Sequence, residues 1–201
     1  MTSTVSTVSS ATSSSTITTN TAQTPSVWLG CMAHYNVGYL VGGWYDAAEA
    51  STVTVAELHR GTGLSPVGCE EIWCYDTEYM LVDREMSPHE AQQQAEALLA
   101  VDEHLRPALR AWVASGDYVA EGDGRSDVPV LSEFHDRYCG HWDSFEEYAA
   151  DLIDSTGMLN GVPEEVAQHF DWRSHARELA HDYAVLDAQA PASGVYVFRS
   201  C

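Results

Sequence analysis

From residue 27 onward the apolar positions change period several times, and each change marks an element. Residues 27–32 (VWLGCM) and 39–45 (YLVGGWY) are short β-prone runs flanking HYNVG, where Asn36 and Gly38 suit positive φ; the pattern predicts a β-hairpin. TVAELHRGTG reads as a short helix closed by Gly61, and EEIWCYDTE (70–78) as a third strand. SPHEAQQQAEALLAVDEHL carries clear helix-start signals: Ser87 as N-cap, Pro88 at the first helical position, and Glu90 completing a capping box. PALRAWVASG is a second helix stopped by Gly116. The polar, Gly-bearing GDYVAEGDGRSD is a linker or a short acidic helical turn. VPVLSEFHDRYCGHW then leads into a helix over WDSFEEYAADLID (142–154). VPEEVAQHFDW is a short helix with Pro163 at its first position, DWRSHARELAHDYAVL is another, and SGVYVFRSC is a closing strand.

This order predicts an α+β fold: an elongated chain of three small domains with no internal repeat. Residues 27–80 form a β-hairpin and sheet with a helix, 81–126 a helical middle, and 127–201 helices with a small sheet. Residues 1–26, dominated by Ser and Thr and free of charge, read as a disordered leader that the rest can do without. No run of 18 apolar residues predicts a membrane span. The N-terminus lacks the basic and hydrophobic regions of a signal peptide. Five irregularly spaced cysteines point to reduced thiols in a cytoplasm rather than to a disulfide framework.

Charge changes the picture. There are 30 Asp+Glu against 9 cations, every one of them Arg, for a net charge of −21. Such a surface repels nucleic acid and anionic lipid and attracts basic partners. With 45% hydrophobic residues and six Trp, the chain nevertheless folds. A duplex shows one negative charge per ~1.7 Å of axis, so net −21 corresponds to about 36 Å of DNA.

The helix over 142–154 carries five carboxylates, Asp143, Glu146, Glu147, Asp151 and Asp154, and no cation. The spacing makes Asp143 its opening residue, with Glu146 at the capping-box position. On a helical wheel Phe145, Tyr148, Ala149, Leu152 and Ile153 share one side; Asp143, Glu147, Asp151 and Asp154 fall within about 80° on the other. A solvated face is the ordinary meaning of such a row. The pattern recurs, however, at Glu70/Glu71, Asp102/Glu103, Glu164/Glu165 and in the loop acids Asp117, Glu121, Asp123 and Asp127.

Motifs for catalysis or cofactors are lacking. His135, Cys139 and His141 could supply metal ligands, but no second cluster has zinc spacing, so no metal is expected. DYVAEGDGRSD lacks the closing Glu of a calcium loop. There is no phosphate-binding Gly-rich loop and no G-x-S-x-G, and paired carboxylates are too abundant for one pair to stand out as acid and base.

HYNVGYLVGGWYDA, EEIWCYDTE, FHDRYCGHWDSFEEYAADLID, MLNGVPEEVAQHFDW and GVYVFR, in that order, resemble the ArdA antirestriction family over residues 27–201. Within them, 158–171 corresponds to the family's short antirestriction motif. The resemblance implies an elongated three-domain homodimer that mimics bent B-form DNA. It would occupy the DNA-binding groove of a type I restriction-modification enzyme, blocking restriction and often modification, without catalysis, cofactor or nucleic-acid binding. Such proteins are commonly encoded by mobile elements. Partner-binding residues by phosphate mimicry would be Asp143, Glu146, Glu147, Asp151, Asp154, Glu164, Glu165 and Asp171. Two chains of −21 need an apolar contact, for which the closing-strand residues Val195, Tyr196, Val197 and Phe198 are candidates. The leader has no counterpart in the family, and residues 50–69 are less acidic than usual for a first domain. Composition alone also fits a salt-adapted acidic protein, or a carboxylate-based hydrolase.

Overall fold

A computed structural model of the chain describes residues 24–122, 127–189 and 192–200. The proposed leader lies outside them except for its last residues, and these belong to the fold. Pro25 is buried with its carbonyl accepting from the Ala47 N–H at 3.0 Å, and Ser26 opens the first strand.

The hairpin forms as the two β-prone runs predict. β1 (Ser26–Cys31) pairs antiparallel with β2 (Gly42–Asp46). Between them one helical turn, α1 (Met32–Tyr35), takes Met32 out of the strand, and Asn36 has φ −64°; only Gly38, at +86°, uses the left-handed region. Gly42 is obligatory for another reason, since a Cβ there would lie 2.1 Å from the Leu29 carbonyl oxygen. α2 (Val55–Leu58) starts at a complete capping box: Thr54 accepts from the Glu57 N–H, and the Glu57 carboxylate accepts from the Thr54 N–H at 2.9 Å. Those bonds hold the Glu57 carboxyl below its ordinary range. β3 (Ile72–Glu78) completes a sheet of order β2-β1-β3.

α3 (Pro88–Leu99) is capped by Ser87, but Glu90 does not return the bond. Its carboxylate pairs with Arg84, which also holds Asp127 at 2.8 Å. α4 (Arg106–Ser115) stops at Gly116, φ +81°. The stretch that follows, expected to be a linker or a helical turn, has paired flanks. Glu121 N–H donates to Val128 and Val130 N–H to Val119, both at 2.8 Å, so its two flanks run antiparallel; its middle, including Asp123, lies outside the described residues. α5 (Leu131–Arg137) and β4 (Tyr138–Trp142) precede the acidic helix α6 (Phe145–Thr156). In α7 (Glu164–Ala167) Pro163 is the cap residue rather than the first helical one. α8 (Trp172–Leu179) ends earlier than its apolar pattern suggests, and the YAVL segment is extended as β5 (Tyr183–Asp187). β6 (Val195–Arg199) closes the chain as the middle strand of a second antiparallel sheet, β4-β6-β5. The class is α+β, as expected.

Three cores hold these elements together. Val27, Leu29, Cys31 and Cys74 form one core with Ala91 and Ala95 of α3. The same helix gives Ala97 and Leu98 to a second core, where Trp112 of α4 meets Phe134 of α5 and Tyr196 and Phe198 of β6. Trp112 stacks on Phe198 with centroids 6.0 Å apart and planes 14° apart. The middle helices thus share their interior with the C-terminal sheet, and the expected boundary at 126/127 runs through that interior. The other face of β6 presents Val197 to a third core with Phe145, Tyr148, Ala149 and Ala176. The candidate dimer-contact residues lie on this strand. β6 is paired along both edges; Tyr196, Val197 and Phe198 are buried within the chain, and Val195 is half-buried.

Trp112→Ala should destabilise the chain by about 3–5 kcal/mol, the usual range for emptying a buried aromatic site. Hydrogen exchange should show protection lost together in residues 106–115 and 195–199; full protection retained in 195–199 would show that the two are separable.

Candidate functional site

The acidic surface is built on α6, and its start is set by Ser144. The Ser144 hydroxyl accepts from the Glu147 N–H at 3.2 Å, while the Glu147 carboxylate accepts from the Asp143 N–H at 3.0 Å. Asp143 therefore stands outside the helix, and Glu147 rather than Glu146 takes the capping partner's position. At the far end Gly157 adopts φ +64°; its N–H donates to Asp154 and that of Met158 to Ile153, a Schellman closure. Asp151 and Asp154 lie toward this negative end of the helix dipole, where local energetics disfavour an anion.

The helix is held by its underside. Phe145, Tyr148, Ala149 and Ile153 are buried and Leu152 is half-buried, as the wheel predicts. Tyr148 packs edge-on to Tyr183 at 5.1 Å and to Trp142 at 5.5 Å, and burial pushes its phenol well above the ordinary range. The outer side keeps Glu147, Asp151 and Asp154 exposed, with Asp143 and Glu146 beside them. Glu164 and Glu165 are exposed in the first turn of α7. Asp171 is exposed too, but it caps α8 by accepting from Ser174 N–H at 3.0 Å.

Among the described residues none of these eight acids is in an ion pair, and no described carboxylate is buried. The cations are differently placed: Arg84 serves Glu90 and Asp127, and Arg137 pairs with Glu133. One groove beside the acidic helix includes a cation in its lining, which the sequence neighbourhood does not show. Arg173 and Trp172 of α8 line an open groove of about 410 Å³ with Ser144, Glu146, Ala149 and Ala150. Segment 158–171, one surface run, buries none of its residues and leaves Met158, Val162 and Val166 exposed among its acids.

A sequence profile described as "Antirestriction protein (ArdA)" matches residues 27–190. The chain belongs to the ArdA family. Membership makes it an antirestriction protein, and the matched span contains all eight acids of the candidate surface. No curated protein matches the chain. No described helix is long and apolar enough to cross a membrane.

The structure does not gather the metal candidates of the sequence reading in this ArdA chain. His141 bonds the Ser193 carbonyl at 2.6 Å, Cys139 donates to the Arg137 carbonyl, and His135 lies against Phe134. It gathers instead four residues that sequence reasoning passed over: Cys31, His34, His59 and Cys69. The signal for half of them was Cys31-x2-His34 at the end of the first strand. The other two come from separate loops.

The capping geometry separates structural from displayed acid. Ser144→Ala should lower stability by about 1 kcal/mol, as loss of an N-cap does. Asp143→Asn should leave it unchanged within a few tenths, since only the backbone N–H of Asp143 is bonded. Denaturant titration of both variants checks this; the reverse order would restore Asp143 as the cap.

Proposed function

We propose that this antirestriction protein acts as a DNA mimic: a homodimer whose carboxylates take the place of phosphates in the DNA-binding groove of a type I restriction-modification enzyme, inhibiting restriction and often modification. The observation that carries the reading is the α6 surface, with Asp143, Glu147, Asp151 and Asp154 all exposed and unpaired among the described residues over a buried apolar underside. Like charges at i,i+4 cost a few tenths of a kcal/mol in an isolated helix, so the row works against local stability and is suited to an external cation. Segment 158–171 adds exposed apolar side chains to Glu164, Glu165 and Asp171, giving a partner both charge and contact area. Carboxylates on the surface rather than converging in a pocket favour display over acid-base chemistry. A second chain would dock on a surface other than the side chains of β6, and the cytoplasm, where restriction enzymes meet DNA, is the proposed location.

The fourfold variant Asp143→Asn, Glu147→Gln, Asp151→Asn, Asp154→Asn should fold at nearly unchanged stability and inhibit a type I enzyme at least tenfold less well. The deficit should shrink as salt rises, because screening already weakens the wild-type contacts. Intermediate variants should fall between. Titration at two salt concentrations reads this out. One substitution accounting for the whole loss, with the other three silent, would contradict a distributed surface.

A further inference from the structure

Four side chains from three separate segments converge beside the first sheet. Cys31 ends β1 and is fully buried; His34 is in α1; His59 follows α2 and is 6% exposed; Cys69 lies in the loop before β3. Each contributes one ligand-type atom, and the four atoms all lie within 4.8 Å of one another. His34 Nδ1 is 3.4 Å from Cys31 Sγ, 3.3 Å from Cys69 Sγ and 3.2 Å from His59 Nε2; Cys69 Sγ is 3.8 Å from His59 Nε2.

These separations match ligands around a tetrahedral zinc. Bonds of about 2.3 Å to sulfur and about 2.0–2.1 Å to nitrogen place tetrahedral ligands about 3.4 Å apart for N···N, about 3.6 Å for S···N and about 3.8 Å for S···S. Proton-mediated contacts explain the cluster poorly. His59 Nδ1 lies 2.7 Å from the Val55 carbonyl oxygen, which accepts only, so Nδ1 carries the proton and Nε2 presents its lone pair inward. His34 Nδ1 then faces three atoms, and a single N–H could satisfy only one. A cation satisfies all of them, and the Val55 bond is the outer-sphere contact that orients a metal-bound imidazole.

We infer that Cys31, His34, His59 and Cys69 form a structural Zn²⁺ site. Two soft thiolates and two imidazoles in tetrahedral array select zinc among common divalent ions. Binding replaces two thiol protons with the dication, so the centre is neutral. Four protein ligands close the coordination sphere, and the role is structural. The site staples the end of β1, the end of α2 and the 60–71 loop together. That loop needs a tether: Gly61, Gly63 and Gly68 take positive φ and Val67 is 89% exposed, so little apolar burial holds it.

The test uses the full chain purified under reducing conditions and dialysed against metal-free buffer. Elemental analysis should find equimolar zinc. Replacement by Co²⁺ should give tetrahedral d–d bands with a thiolate charge-transfer band. Cys69→Ser and His34→Gln, at the half-buried positions, should weaken zinc at least about tenfold in chelator competition, while Cys139→Ser should bind as the parent does. Added zinc should raise the melting temperature of the parent and not of Cys69→Ser. Substoichiometric zinc, a cobalt spectrum without the thiolate band, undiminished binding by Cys69→Ser, or a Cys31–Cys69 disulfide in the intact mass would each overturn the assignment. The parent's cobalt spectrum decides the matter even if a variant fails to fold.

Discussion

The acidic surface depends on a strand that carries almost no charge. β6 lies between β4 and β5, and its alternating side chains serve two cores: Tyr196 and Phe198 reach the helices of the middle of the chain, Val197 the underside of α6. A period-two strand buried on both faces transmits position between the layers on either side of it. Through it, the place of the acid row is fixed relative to α4 and α5 by packing rather than by charge. That suits a protein of net −21, because repulsion among surface carboxylates opposes compactness and has to be offset by apolar contact.

The same logic explains how the anions are distributed. The described carboxylates stay at the surface, and several of those that bond do so at chain-organising places: Glu57 and Glu147 return capping bonds, Asp171 caps α8, and Arg84 ties Glu90 to Asp127 across a long sequence separation. Glu147 and Asp171 therefore do two things, organising a helix start while remaining exposed. Among the described residues Asp151 and Asp154 make no bond of that kind, and they sit where the helix dipole disfavours them, so folding does little to explain them. The ArdA family relationship makes the chain that carries this surface an antirestriction protein.

Much of this was legible in the sequence where a rule is local. The hairpin, the Ser87 cap, the stop at Gly116 and the buried side of α6 follow from periodicity and end chemistry. Ser144 was overlooked because an acid beside it offered the same spacing one residue out of register. β4 and β5 were missed because each follows a helix directly, and their apolar positions can be absorbed into the helical pattern before them. What was not legible is non-local. Nothing in the order of residues says that the closing strand inserts between two others, or that Arg173 and Glu146 line one groove. Cys69 and His59 likewise meet Cys31 and His34 only when the loop before β3 folds back over the first sheet.

The central claim is that this surface and DNA compete for one groove. The direct measurement is fluorescence anisotropy of a labelled duplex bound to the methyltransferase core of a type I enzyme, titrated with the unlabelled protein. The account predicts complete displacement, with an apparent affinity that weakens in proportion to the duplex concentration and no residual ternary signal. A plateau at a stable ternary complex, with DNA still bound while cleavage is inhibited, would contradict it.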